Sequence, residues 1–249
     1  MNMIMLDERF ITELTFKVND LYKKCCLLQQ ADLTAYLASS DNVRYGIQPI
    51  DFDVFDNMFS CRLLRHFDNE QCQIKRLSKS LKCNANLSNY TLFFFNNSEK
   101  LLRSEFQVFP NEKIITIYFS KVLCVLFRSI NGKLYLYGAE SNEYDNNERI
   151  IKSESIQIQP KMPTGIRFFG EYYHYNEKAL ISAEKIRDCF FRKQLNKYVW
   201  ERNQKPAIYS YSFKYNNAFV EANVIPGNHF FTLKESELKK SKMLLYKIL

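Results

Sequence analysis

Hydrophobic residues between positions 7 and 38 recur at helical steps. Phe10, Leu14, Val18, Leu21, Cys25, Leu28 and Ala35 lie three, four or seven apart, and no Gly or Pro intervenes before Gly46. This spacing predicts one long amphipathic helix. At 1.5 Å per residue it would reach about 48 Å, more than a compact domain needs for its own core. Two dispositions are open: a helix lying across the body, or one projecting in part toward a neighbour. Phe52, Val54, Phe55, Met58, Phe59, Leu63 and Leu64 predict a second, shorter helix after Pro49 and Asp51, and a polar stretch follows it.

From Tyr90 the helical period gives way to alternating or continuous apolar runs. YTLFFF at 90–95, KIITIYF at 113–119, VLCVLFRSI at 122–130 and KLYLYG at 133–138 read as strands, as do IQI at 156–158 and GIRFFGEYYHY at 165–175. Asn131 and Gly132 separate two of these runs. Both tolerate positive φ, so they predict a two-residue hairpin. A second hairpin is expected at Asn216 and Asn217, joining AIYSYSFKY to AFVEANVI. In the first of these strands Tyr209, Tyr211, Phe213 and Tyr215 share one face, opposite Ile208, Ser210, Ser212 and Lys214. The Asn-, Glu- and Asp-rich stretch from Glu140 to Arg149 reads as an exposed loop. A late helix is expected over 180–202, with Leu180, Ala183, Ile186, Phe190, Phe191, Leu195, Tyr198 and Trp200 on its apolar face and Asn203 and Pro206 ending it. Many strands with few helices predict a mainly β, α+β protein: a single domain over 1–249 built as an antiparallel β-sandwich. Residues 1–40 would form the projecting or clamping helix, and 90–230 the sandwich core.

Composition sharpens this picture. The 249 residues include 21 Phe and 16 Tyr but only 3 His and 6 Gly, a balance that favours packing surface over catalytic machinery. No run of apolar residues is long enough to cross a membrane as a helix, and the N-terminus meets Asp7 and Glu8 too early for a secretory core, so a cytosolic protein is expected. The seven cysteines (Cys25, Cys26, Cys61, Cys72, Cys83, Cys124 and Cys189) have no C-x-x-C pair and read as reduced, mostly buried thiols. On that reading the sequons at Asn86, Asn89 and Asn96 carry no sugar.

The formal charge of +8 would suit a nucleic-acid partner, but clustering is weak. Arg62, Arg65, Lys75, Arg76, Lys79 and Lys82 form one basic stretch and the tail from Lys234 to Lys247 another, both with acidic residues interleaved or no recognition motif around them. His66, His174 and His229 are isolated, so no metal site and no catalytic residue is expected, and the signatures of acyl transfer, P-loops and dinucleotide binding are missing. A Cys189–His174 pair brought together by folding and the Tyr172, Tyr173, His174, Tyr175 run are the only polar constellations to weigh. Each has a plainer reading, as core filler and as a strand alternating between core and surface.

IITIYFS at 114–120, TGIRFFGEYYHY at 164–175 and DCFFRKQLNKYVW at 188–200, in that order, resemble the corresponding order in cypovirus polyhedrins, the matrix proteins of insect-virus occlusion bodies. The likeness covers the second half of the chain and the general layout with a long N-terminal helix. It implies a structural, non-enzymatic protein that associates with itself, as trimers packed in a crystalline lattice around virus particles in the host cytoplasm. Nucleotide binding occurs in that family, but no residue here matches such a site, so no cofactor is assigned and no membrane is implied. The many tyrosines fit an assembly that is cohesive at neutral pH and dissolves near pH 10, where phenols ionise. A basic nucleic-acid-binding protein, or an enzyme with an unrecognised pocket, are the alternatives.

Overall fold

A strand that alternates polar and apolar residues can bury one face only if its neighbours lie in register with it, and a hairpin is the shortest way to supply such a neighbour. The computed structural model carries this to an extreme. It describes residues 8–29, 32–38, 41–47, 77–80, 90–147, 149–158, 165–177, 179–201, 206–216, 219–225 and 229–234. Two helices, α1 (Glu8–Gln29) and α2 (Thr34–Leu37), precede the strands β1 (Val43–Ile47), β2 (Leu77–Ser78), β3 (Tyr90–Phe95), β4 (Leu101–Phe109), β5 (Glu112–Tyr118), β6 (Leu123–Ile130) and β7 (Lys133–Tyr144). These are followed by β8 (Ile150–Ile158), β9 (Gly165–Tyr175), β10 (Leu180–Gln194), β11 (Lys197–Trp200), β12 (Ala207–Asn216), β13 (Phe219–Ile225) and β14 (His229–Lys234). All pairings are antiparallel. The strands join in a single sheet of order β14-β13-β12-β10-β9-β8-β7-β6-β5-β4-β3-β1-β2, with β11 paired beside β12 on the same edge of β10. The protein is therefore mainly antiparallel β with few helices. Its described strands hydrogen-bond into one continuous sheet.

One face of this sheet is an apolar floor for α1. The pairings align Ile117, Val125, Ala139, Ile156, Phe168 and Cys189 in a row across six adjacent strands, all almost completely buried. Leu14, Val18, Leu21 and Cys25 of α1 pack on that row in one core cluster. Each such aliphatic side chain stabilises the fold by about 1.5–3 kcal/mol. The small Ala139, centred in the row, lies beneath the helix where it crosses β7 and β8 on its way to β11. Asn19 fixes the crossing point. Its Nδ2 donates to the Tyr198 carbonyl and its Oδ1 accepts from the Tyr198 N–H, both at 2.8 Å, so one side chain imitates a strand partner for β11. The helix lies across the body. Its length is also corrected: the predicted 7–38 helix is described as α1 ending at Gln29 and a separate turn of helix from Thr34, whose N–H is taken by the Asp32 carboxylate at 2.9 Å.

The late helix over 180–202 is not present; these residues form β10 and β11. The error has a physical source. Register shifts between Leu180 and Ser182 and between Ile186 and Cys189 let one extra residue into the strand. Leu180 and Ala183 then share one face, and Ile186 and Cys189 the other. Residues three apart on one side are the mark of a helix, and here two bulges produce it. Leu195, placed on the helix's apolar face by its spacing, lies in the β10–β11 turn at φ +56° and is exposed.

The loop expected from Glu140 to Arg149 is corrected as well, because its first five residues complete β7. The Asn131–Gly132 hairpin forms as expected, with φ of +49° and +80°. The β12–β13 pairing also forms, with its turn at 217–218 outside the described residues. The second helix expected after Asp51, and most of both basic stretches, also lie outside them.

Candidate functional site

The second face of the sheet carries an apolar cluster built on Phe93, Phe95, Leu101, Ile114, Tyr118, Cys124 and Leu126 of β3–β6 together with Phe169 of β9. Toward β7–β10 the same face turns polar while staying buried. Register sets Asn142, Ser153, Glu171 and Lys185 side by side across four strands, with Glu140 and Ser155 as the pair next along. Only 4% of Glu140, 2% of Glu171 and 1% of Asn142 is exposed. A charge withdrawn from water to that degree needs partners or loses its charge.

The two carboxyl groups answer this in different ways. Glu171 takes a hydrogen bond from the Tyr173 hydroxyl and lies 4.0 Å from the Lys185 ammonium. Glu140 faces neutral groups: Ser153 Oγ donates at 3.4 Å and the Asn142 amide hydrogen-bonds to it. Burial pushes the Glu140 carboxyl up from 4.5 to about 8; the Asn142 amide pulls against it, the nearby Glu171 charge adds to it, and Ser153 opposes it least. The Asn142 Oδ1 is buried without a hydrogen-bond partner. Across β6 the Cys124 thiol is also pushed up, first by burial and then by Glu140. Chemically this is a buried polar row that holds one carboxyl well above its ordinary range. Neither carboxyl is open to solvent.

A second polar centre clamps α1 to the other face. Lys17 Nζ reaches Glu13 at 2.8 Å, Glu154 at 2.9 Å and the Tyr172 hydroxyl at 3.3 Å, while Tyr172 donates to Glu154 at 2.9 Å. Gly170 makes room for this arrangement: a Cβ there would meet the Tyr172 ring and hydroxyl and the Phe168 ring at 3.1–3.2 Å. Burial alone would depress Lys17, but Glu13 and Glu154 overcome it and hold the ammonium above its ordinary range. Burial and the Glu154 charge raise Tyr172, and Lys17 offsets only part of this. A turn and a half further along the helix, Tyr22 meets Tyr198 edge-on at 4.8 Å between ring centres, and both phenols are raised, chiefly by burial.

The constellations weighed from the sequence disperse. Cys189 pairs with Phe168 while His174 pairs with Ser182, and six residues of strand, about 20 Å, separate those two positions on β9. Cys189 is wholly buried and His174 is exposed. The Tyr172–Tyr175 run alternates as a strand. Tyr172 enters the clamp, Tyr173 the polar row, and Tyr175 stacks under Arg149 at 4.5 Å. Cys25, Cys26, Cys124 and Cys189 are free thiols. His66 lies outside the described residues. Among the described residues no group of three or more His, Cys, Asp or Glu converges as a metal site.

Glu140, Asn142, Ser153, Glu171 and Lys185 were missed because polarity was read as exposure. Their signal is the strict alternation of Ser153, Ser155 and Gln157 with Glu154, Ile156 and Ile158, which shows that β8 has two distinct faces without showing that both are covered. The chain matches no protein-family model, no curated protein and no solved structure. The functional reading therefore rests on the geometry.

Proposed function

We propose that the protein is a self-assembling structural protein with no catalytic role, held together by several modest apolar contacts and released in alkali. The observation that carries this reading is the distribution of large hydrophobic side chains left exposed. Phe16 and Leu27 stand on α1, Phe109 at the β4–β5 end, Ile130 and Tyr135 at the β6–β7 end, Phe190 and Leu195 on β10 and its turn, and Tyr215 and Ile225 on β12 and β13. An enzyme concentrates such groups around one concave site, whereas a building block spreads them over separate surfaces that meet different neighbours. Homo-oligomers, trimers in the form the polyhedrin resemblance points to, would pack into a crystalline matrix around virus particles in the cytoplasm of an insect cell. Folding of the chain's sheet into two packed layers, as an antiparallel sandwich, belongs to the same proposal.

Alkaline release is supported by the α1 clamp. A tyrosine raised in the folded state keeps its proton to a higher pH than it does in the unfolded chain. Its stabilising effect is complete below about pH 10 and is lost as pH climbs through the folded value. Tyr172, Tyr22 and Tyr198 all act in this direction, and so does Lys17, whose stabilising contribution is complete below 10.5 and falls above it. Strong alkali therefore places new anions beside Glu154 and between the paired phenols, and α1 undocks.

Microscopy of cells expressing this chain alone tests the assembly, with ordered particles as the expected result. Purified particles followed by turbidity should persist at pH 7 and clear above about pH 10. A chain that stays a soluble monomer at high concentration overturns the reading.

A further inference from the structure

The buried stripe of α1 is Leu14, Val18, Leu21 and Cys25. On the diametrically opposite side, Phe16, Asp20, Lys23 and Leu27 follow one another at steps of four, three and four. At 100° per residue these four lie within a sector of about 60°. This is the spacing of a coiled-coil seam, yet it faces away from the protein's own sheet. Phe16 is 73% exposed and Leu27 61%. Asp20 already pairs along the helix with Lys24 at 2.7 Å.

We propose that this seam binds the same seam of a second copy, with the two α1 helices antiparallel about a two-fold axis between Leu21 and Tyr22. Position numbers in the seam add to the same total from the outside in, 16 with 27 and 20 with 23. An antiparallel pair therefore sets Phe16 against Leu27 of the second copy twice, and Asp20 against Lys23 twice. A parallel pair would instead set Asp20 against Asp20 and Lys23 against Lys23. Like charges facing across a helix pair repel, so the charge order selects the antiparallel arrangement and the second copy as occupant.

The apolar area available is small. Phe16 and Leu27 together expose on the order of 250 Å² per copy, about 500 Å² for the pair, against about 1,200 Å² at the low end of a stable interface. The contact is accordingly weak and concentration-dependent, as suits one of several junctions between larger oligomers. The inference rests on the self-assembly reading and names one of its contacts.

Sedimentation equilibrium of the full chain over a wide concentration range at low salt tests it. Asp20→Lys and Lys23→Asp should each weaken association about tenfold, and the double variant should return it to within about twofold of the original. Leu27→Ser should weaken it by tenfold or more. All four positions are solvent-facing, so circular dichroism should be unchanged in every variant. Association that persists through Leu27→Ser, or a double variant no better than the single ones, overturns the seam while leaving self-assembly standing through another surface. A wild-type monomer at every concentration overturns both.

Discussion

Replacing Glu140 with Gln removes a buried carboxyl that Ser153 and Asn142 hydrogen-bond, while keeping its shape and its ability to hydrogen-bond. A group raised in the folded state stabilises the fold fully below its unfolded value, here 4.5, and that contribution is lost as pH rises through the folded value near 8. At about 1.4 kcal/mol per pH unit, the span from 4.5 to about 8 amounts to a ceiling of about 5 kcal/mol above pH 8, of which about 3 kcal/mol is already lost at pH 7. Gln has no proton to lose, so Glu140→Gln should match the wild type at pH 4.5, exceed it by about 3 kcal/mol at pH 7, and exceed it further at pH 8.5. For a chain of this length, 3 kcal/mol is about 6–12 °C in melting temperature. Chemical and thermal unfolding of both proteins at these three pH values measures it. Glu171, Lys185 and the Cys124 thiol are present in both proteins, and because Glu171 raises Glu140 and Glu140 raises the Cys124 thiol, the difference measures Glu140 together with these couplings. Parallel stability profiles, or a variant less stable than the wild type at pH 8.5, would refute the assignment of a neutral Glu140.

Other consequences are as direct. Above about pH 10 the hold of the α1 clamp should weaken steadily, because its raised phenols and ammonium keep their protons only while α1 is docked; Trp200, packed edge-on against Phe191 at 5.4 Å beside the helix, should report by fluorescence a lower urea midpoint at pH 11 than at pH 8, and equal midpoints would contradict the clamp. Asn19→Leu should destabilise by about 2 kcal/mol in urea unfolding, because it leaves the β11 edge at Tyr198 without its donor and acceptor. Gly132→Ala should cost about 1 kcal/mol through its φ of +80° alone, since nothing lies within 4 Å of the added carbon, and a loss well beyond that in thermal unfolding would point to a clash instead.

What could be read in advance follows from which forces act locally. β3, β5, β6 and β9 carry the short alternating or continuous apolar runs of strands covered on one or both faces, and the Asn131–Gly132 turn carries its own conformational preference. The stripe from Leu14 to Cys25 likewise named the buried side of α1. β10 was misread because two bulges shift its period from two toward three, an effect of register with β9 that no single strand displays. Glu140 and Asn142 were misread for a related reason. Their burial depends on how the sheet's second face is covered, and nothing in five polar residues at the end of a strand distinguishes a solvated loop from a polar core. The fold class was thus legible from period, while the polar row required knowing which strands become neighbours.

The reciprocal bond between Asn19 and Tyr198 spans 179 residues of chain, whereas most strands pair with the strand next to them in sequence. During translation the hairpins can close soon after they emerge, yet α1, made first, has no complete seat until β11 leaves the ribosome. At about 5–20 residues per second that interval is about 10–40 s. Throughout it, the helix shows both of its stripes to the cell, so the timing of its docking decides whether a nascent chain first meets its own sheet or another nascent chain.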